Sequence, residues 1–86
     1  MKIKGAIIKE QGVKFAIIET TTATLKSQTE MNTIKQKFSP LFGDIPMTFM
    51  AKNARGIPVF VGRKDIVDFL SNNDMNKIPW RKFVSS

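Results

Sequence analysis

The chain has 86 residues, 42% hydrophobic and 24% charged, a composition typical of one soluble globular domain spanning residues 1–86. It contains no cysteine, histidine or tyrosine, which excludes disulfides, thiolate metal sites and the commonest general base. Fourteen basic against seven acidic residues give a net charge of +7, which favours polyanionic partners such as nucleic acids. We therefore expect a non-catalytic protein that uses no metal and no cofactor.

The N-terminal segment contains only a short apolar run, at residues 5–8, before the next lysine. A signal peptide needs a longer apolar stretch, and a transmembrane helix needs about 20 such residues. We therefore expect a cytoplasmic protein with no membrane partner.

Residues 2–19 predict a β-hairpin, because two runs rich in β-branched residues flank Glu10-Gln11-Gly12. A three-residue loop that ends in a left-handed glycine pairs Lys9 with Val13. One face of the hairpin then carries Ile3, Gly5, Ile7, Val13, Phe15 and Ile17. The other carries Lys2, Lys4, Ala6, Ile8, Lys14, Ala16 and Ile18.

Residues 20–26 are rich in threonine and poor in helix formers, so they predict the end of a strand followed by a loop. The spacing Ser27-x-x-Glu30 matches a capping box, in which both side chains satisfy free backbone N–H groups of a helix start. Apolar residues then recur at helical spacing. The helix is predicted to end near Ser39, because Pro40 disfavours a helical residue before it.

Residues 45–62 predict a second hairpin in which Asn53 pairs with Ile57 across a loop at 54–56. This register places Phe49 opposite Val61, with Met50 on the other face. A second helix is predicted from Lys64 to Ser71. The remaining tail is predicted to be a short extended segment that docks its aromatic residues.

The fold class predicted from this order is α+β, with a ββαββα sequence of elements. Two hairpins form an antiparallel four-stranded sheet, and two helices cover one face of it. A short fifth strand near the C-terminal end is a further expectation.

Five basic residues are candidates for binding an anion or a nucleic acid: Arg55, Arg63, Lys64, Arg81 and Lys82. Arg63 and Lys64 begin the second helix, where free N–H groups suit a phosphate. Arg81 and Lys82 follow Trp80, a residue type that stacks on bases. The alternative is that these charges are solvated and that Trp80 anchors the tail by packing.

Four apolar residues on the second sheet face are candidates for an interface: Ile8, Ile18, Met50 and Phe60. Lysines 2, 4, 14 and 52 surround them in the predicted arrangement. Three alternatives remain open for this face. A helix covers it, or it forms a homodimer or binds another protein, or it is a nucleic-acid platform with lysines for phosphates and Phe60 for stacking.

The sequence therefore predicts a small, basic, non-catalytic binding module that contacts nucleic acid. The alternative function is protein–protein contact, including homodimerisation, through the apolar second face. Asp65 and Asp68 are neighbours on one helix, but dipole balancing in its first turns explains them better than a metal site does.

Overall fold

Five strands and three helices form the part of the chain that the computed structural model describes, residues 1–10, 12–72 and 77–85. In chain order they are β1 (Lys2–Glu10), β2 (Val13–Glu19), α1 (Thr22–Leu25), α2 (Gln28–Phe42), β3 (Met47–Lys52), β4 (Pro58–Val61), α3 (Lys64–Ser71) and β5 (Arg81–Val84). This order confirms the predicted α+β class and the short fifth strand.

The strands form one sheet in the order β4-β3-β2-β1-β5. β2 and β3 pair in parallel, and the other neighbours pair antiparallel. The expectation of a purely antiparallel sheet is therefore wrong. The physical reason is the connection between the hairpins: α1 and α2 carry the chain back along the sheet, so that β3 starts beside β2 and runs in the same direction.

The two longer helices pack on opposite faces of the sheet, so the expectation that both cover one face is also wrong. On the α2 face the buried cluster consists of Ala16, Ile18, Met31, Ile34, Phe38, Phe42 and Phe49. On the α3 face it consists of Phe15, Ile17, Met50, Ile66 and Leu70. Residues 15–18 of β2 are consequently all buried, as in a central strand that is covered on both sides.

The first hairpin is shifted by one residue from the predicted register. Glu10 pairs with Val13 and Ile8 pairs with Phe15, so two residues rather than three connect the strands. Gly12 has a φ of 81°, a left-handed conformation that glycine adopts without strain, and Gln11 lies outside the described residues. A shift of one residue exchanges the faces of a strand, so Lys14 lies on the α2 face with Ile7 and not beside Ile8.

The second hairpin has the predicted register, with Phe49 opposite Val61. The side chain of Asn53 organises its loop, because Oδ1 accepts from the backbone N–H of Arg55 at 2.9 Å and of Ile57 at 3.0 Å. The backbone N–H of Asn53 also donates to the carbonyl of Ile57 at 2.9 Å. An asparagine that closes such a turn fixes the strand pairing beyond it.

α2 begins as predicted but continues past the predicted end at Ser39. The hydroxyl of Ser27 accepts the backbone N–H of Glu30 at 3.2 Å, which confirms the N-cap. Pro40 cannot donate to the carbonyl of Gln36, and the hydroxyl of Ser39 donates to that carbonyl instead, at 3.3 Å. The extension is further stabilised by Phe42, whose ring is 4.9 Å from that of Phe83.

The segment predicted as a loop at 20–26 contains the short helix α1. Its N-cap is Thr21, whose hydroxyl accepts the backbone N–H of Thr24 at 3.2 Å. Threonine lowers helix propensity in a helix interior, but at the N-cap its hydroxyl favours the start of a helix, as Thr21 does here. α3 spans Lys64–Ser71, as predicted.

Candidate nucleic-acid interface

The five predicted anion-binding residues do not form one site. Arg55 lies in the loop before β4, whereas Arg63 follows the other end of that strand. β4 alone separates them by about 10 Å, from three steps of 3.3–3.4 Å. Arg81 and Lys82 belong to β5, at the opposite edge of the sheet from β4.

Arg63 is neutralised by its own helix. Its guanidinium donates from Nε to Oδ1 of Asp65 at 2.8 Å and from Nη2 to Oδ2 at 2.6 Å. The hydrogen bond from Arg63 lowers the pKa of Asp65 to about 2, and the same hydrogen bond raises the pKa of Arg63. A bidentate pair of this kind leaves little net charge for a phosphate. Lys64 is exposed beside it.

The four predicted interface residues do not form an exposed patch. Ile18 is fully buried beneath α2, and Met50 is 2% exposed beneath α3 on the other face. Ile8 and Phe60 are partly buried against the α3 cluster. The register shift in the first hairpin and the placement of the helices on opposite faces separate residues that the sequence pattern had grouped.

Four exposed lysines lie together on the α3 face, near the end of the sheet where β1 begins and β2 and β3 end. Lys82 is the cross-strand partner of Lys4, and Lys2 lies two residues from Lys4 on the same face of β1. Lys52 lies two residues from Met50, which is in register with Glu19 and so with Lys4. We call Lys2, Lys4, Lys52 and Lys82 the lysine platform.

The platform extends over four neighbouring strands, from β5 to β3. Adjacent strands are 4.7–4.9 Å apart, and alternate residues are about 7 Å apart along a strand, so its Cα atoms fit within about 14 by 7 Å. All four lysines are exposed. The apolar residues that cluster with α3 include Phe15 and Ile17, which lie nearer the start of β2 and away from the platform.

Lys4 is the lysine of the platform that lies close to both a carboxylate and an aromatic ring. Its Nζ lies 3.6 Å from Oε2 of Glu19 and 5.8 Å from the centre of the Trp80 ring. Among the described residues of that sheet row, Glu19 is the one carboxylate, and the ammonium group that it pairs with is that of Lys4. The tail aromatic and the basic strands, which are far apart in the sequence, thus meet at one surface.

Two pairs of lysines lie directly opposite each other in the sheet, one pair between β1 and β5 and the other between β1 and β2. Lys4 opposes Lys82 on the α3 face, and Lys9 opposes Lys14 on the α2 face. Like charges in directly opposed positions destabilise a sheet, by up to about 1 kcal/mol for a pair. Lys4 is partly neutralised by Glu19, and the excess positive charge remains on Lys82 and Lys2.

Part of this surface was visible in the sequence. Lysines 2, 4 and 52 were predicted to surround the second face, and Lys82 was a separate candidate in the tail. The pairing of β5 with β1 joins them, and no local pattern indicates a contact between residues at opposite ends of the chain.

The described residues contain no group of three or more acidic, histidine or cysteine side chains that could hold a metal ion. Of the helices in that same part of the chain, none has both the length and the apolarity to cross a bilayer. No protein-family model matches the chain, and the searches of curated proteins and of solved structures returned no match either.

Proposed function

We propose that this protein is a small non-catalytic module that binds single-stranded nucleic acid on the lysine platform. The observation that carries the proposal is the register of β5 against β1, which places Lys82 directly opposite Lys4. This arrangement destabilises the sheet, and an anion bound between the two ammonium groups would relieve it.

The shape of the platform favours a single strand over a duplex. Its lysines project from a sheet surface, and sheet surfaces bind extended strands whose bases stack on side-chain rings. Trp80 lies at the margin of the platform beside Lys4 and is partly exposed. Reading the major groove of a duplex would instead require a helix or a two-stranded ribbon that enters the groove.

The decisive variant is Lys82→Glu, and the matched control is Lys14→Glu. Each variant changes the net charge equally and replaces one lysine of a directly opposed pair by an acid. Both are expected to stabilise the fold by about 0.2–1 kcal/mol, because an attraction replaces a repulsion. Only the change at Lys82 alters the platform.

The assay is the fluorescence anisotropy of a labelled single-stranded oligonucleotide, titrated at several salt concentrations. Four phosphate contacts predict a slope of log K against log salt near −3, or about 50-fold weaker binding at 200 mM than at 50 mM salt. Lys82→Glu is expected to reduce the magnitude of the slope by about 0.7 and to weaken binding by about tenfold.

Lys14→Glu is expected to leave the affinity within about twofold, since surface charge away from a contact has a small effect. Equal weakening by both variants would show that binding depends on net charge alone and would refute the platform. Absence of binding by the wild-type chain at about 50 mM salt would refute nucleic-acid binding itself.

A further inference from the structure

β5 forms one edge of the sheet, and among the described strands β1 alone pairs with it. The backbone N–H of Ser85 donates to the carbonyl of Met1 at 2.9 Å, and the amino group of Met1 donates to the carbonyl of Ser85 at 3.5 Å. Bonded and non-bonded pairs alternate in an antiparallel ladder, so every second residue of β5, counted back from Ser85, bonds to β1. The backbone N–H and C=O groups of Lys82 and Val84 therefore point away from β1, toward the open side of the edge.

The side chains of β5 leave this open side accessible. Arg81 and Lys82 are exposed, and Val84 is 56% exposed. Because side chains alternate along a strand, Arg81 lies with Phe83 on the α2 face, and Lys82 lies with Val84 on the α3 face. Each face of the edge thus carries one cation beside one apolar residue.

The opposite edge of the sheet, β4, is protected from pairing by a proline. The backbone N–H of Asn53 bonds to the carbonyl of Ile57, and the same alternation along the ladder turns Pro58 toward the open side. Proline has no N–H to offer to an incoming strand, and it is typical of edge strands that avoid pairing. The outward positions of β5, Lys82 and Val84, both keep their N–H groups.

The charge of the β5 edge indicates which kind of strand can pair with it. A second copy of this chain would bring a further net charge of +7 and a second Arg81 and Lys82 to the interface. Like charges across a strand pair destabilise it, and lysine on an edge strand is a common protection against self-pairing. Each pair of opposite charges instead favours pairing by up to about fivefold. The two cations therefore favour an extended segment with acidic side chains.

We propose that the open edge of β5 binds an extended acidic segment of a partner protein, which adds to the sheet as a further strand. The segment runs antiparallel to β5 and exchanges backbone hydrogen bonds with Lys82 and Val84. Acidic residues lie opposite Arg81 and Lys82, and an apolar residue lies opposite Val84. Backbone pairing supplies the affinity, and the two cations select the segment. The inference goes beyond the proposed function and does not depend on nucleic-acid binding.

The probe is the peptide Thr-Val-Thr-Glu-Glu-Thr, blocked at both ends, which is titrated into isotope-labelled protein and followed by the amide NMR signals. In the proposed register its valine lies opposite Val84, its first glutamate opposite Lys82 and its second opposite Arg81. The largest shifts are expected at the amides of β5. The amides of Lys82 and Val84 should also exchange with solvent more slowly in the complex, because they become hydrogen-bonded.

Two N-methylated forms of the peptide test whether its backbone pairs with β5. Methylation of the first glutamate removes the N–H that donates to the carbonyl of Lys82, and we expect about tenfold weaker binding. Methylation of the threonine opposite Phe83 changes an N–H that points away from β5, and the affinity should stay within about twofold. The peptide with both glutamates replaced by glutamine should bind at least about fivefold more weakly.

Two pairs of variants locate the site on the protein, with circular dichroism to confirm the fold of each. Val84→Pro removes an N–H that is not bonded to β1 and should weaken peptide binding by about tenfold, whereas Val84→Thr keeps that N–H and should change it by less than about twofold. Arg81→Glu should weaken binding by about fivefold or more. Arg55→Glu makes the same change at an exposed arginine outside β5 and should have an effect of less than about twofold.

The peptide site and the lysine platform respond to different variants. Lys52→Glu should weaken oligonucleotide binding and leave the peptide affinity within about twofold, because Lys52 lies on β3. Val84→Pro changes no charge and should leave oligonucleotide affinity unchanged.

Several results would overturn the proposal: no binding of the peptide at about 1 mM, equal binding of the two methylated forms, or equal binding of the glutamine peptide. Sedimentation of the free protein tests the other occupant, because an oligomer that Val84→Pro dissociates would assign this edge to a second copy and overturn the acidic partner. The methylated peptides require no change in the protein, so they decide the question even where a variant does not fold.

Discussion

The buried hydroxyl of Thr48 leads to a specific stability prediction. Thr48 is fully buried in β3, and its Oγ1 has no hydrogen-bond partner among the described residues. Gly62, the residue that follows β4, packs closely on it, since a side-chain carbon at that position would lie 2.8 Å from Oγ1. Replacement of Thr48 by Val keeps the shape and removes the unpaired group, which we expect to stabilise the protein.

The magnitude follows from the cost of an unsatisfied buried polar group, about 1–3 kcal/mol. At the lower end of that range, Thr48→Val should raise the Tm by about 4–8 °C in a domain of this size. Thermal unfolding followed by circular dichroism, with urea unfolding as a second measure, gives the shift.

Thr33→Val is the matched control, because Thr33 is exposed and its hydroxyl donates to the carbonyl of Thr29 at 3.0 Å. This change should stay within about 0.5 kcal/mol of the wild type. An unchanged or lower Tm for Thr48→Val would refute the reasoning, because it would mean that the hydroxyl is satisfied in solution, for example by a buried water.

Three further predictions concern local features of the fold. The pKa of Asp65 is lowered from 3.8 to about 2, so its ion pair with Arg63 stabilises the folded state above about pH 4, and this stabilisation is lost as the pH falls toward 2. The difference in Tm between the wild type and Asp65→Asn should therefore vanish over that pH range. Gly5→Ala should destabilise the sheet by about 1–3 kcal/mol in urea unfolding, since its Cβ would lie 2.6 Å from the carbonyl oxygen of Ile17. Ser27→Ala should cost about 1 kcal/mol in the same assay through loss of the α2 cap, and a serine-to-alanine change at exposed Ser71 should cost less.

Local sequence signals predicted the elements of this fold well. The capping box at Ser27, the boundaries of α3 and the register of the second hairpin each depend on interactions within a few residues. Such interactions can be recognised from residue type and spacing alone. The predicted register of the first hairpin was wrong because glycine closes two-residue and three-residue loops alike, so the loop length could not be inferred from Gly12.

The arrangement of the elements was not predictable from the same signals. Parallel pairing of β2 with β3 and the position of β5 beside β1 are contacts between distant parts of the chain. One indication was present in the sequence: the uninterrupted apolar run at residues 15–18, which favours a strand buried on both faces over a half-exposed one. Placing a helix on each face follows directly from that interpretation.

The candidate site was also predictable only where it depends on local sequence pattern. Alternation along β1 places Lys2 and Lys4 on one face wherever the strand lies. Their proximity to Lys82 and Trp80 depends on the pairing of the two ends of the described chain. The sequence analysis treated Arg63 as either an anion ligand or a solvated charge, and it did not anticipate the ion pair with Asp65 two residues away. The net charge therefore favoured a polyanionic partner, but the surface proposed to bind it could be located only once the fold was known.

The pairing of β1 with β5 has a mechanical consequence. Met1 and Ser85 lie at the same end of this antiparallel pair, where the backbone N–H of Ser85 donates to the carbonyl of Met1 at 2.9 Å. A force that pulls the two ends apart loads these cross-strand hydrogen bonds one after another, as in a zipper, rather than all together in shear. The first rupture would detach Lys82 from Lys4 and Phe83 from the α2 cluster, so tension would dismantle the lysine platform before it reaches the pairing of β1 with β2.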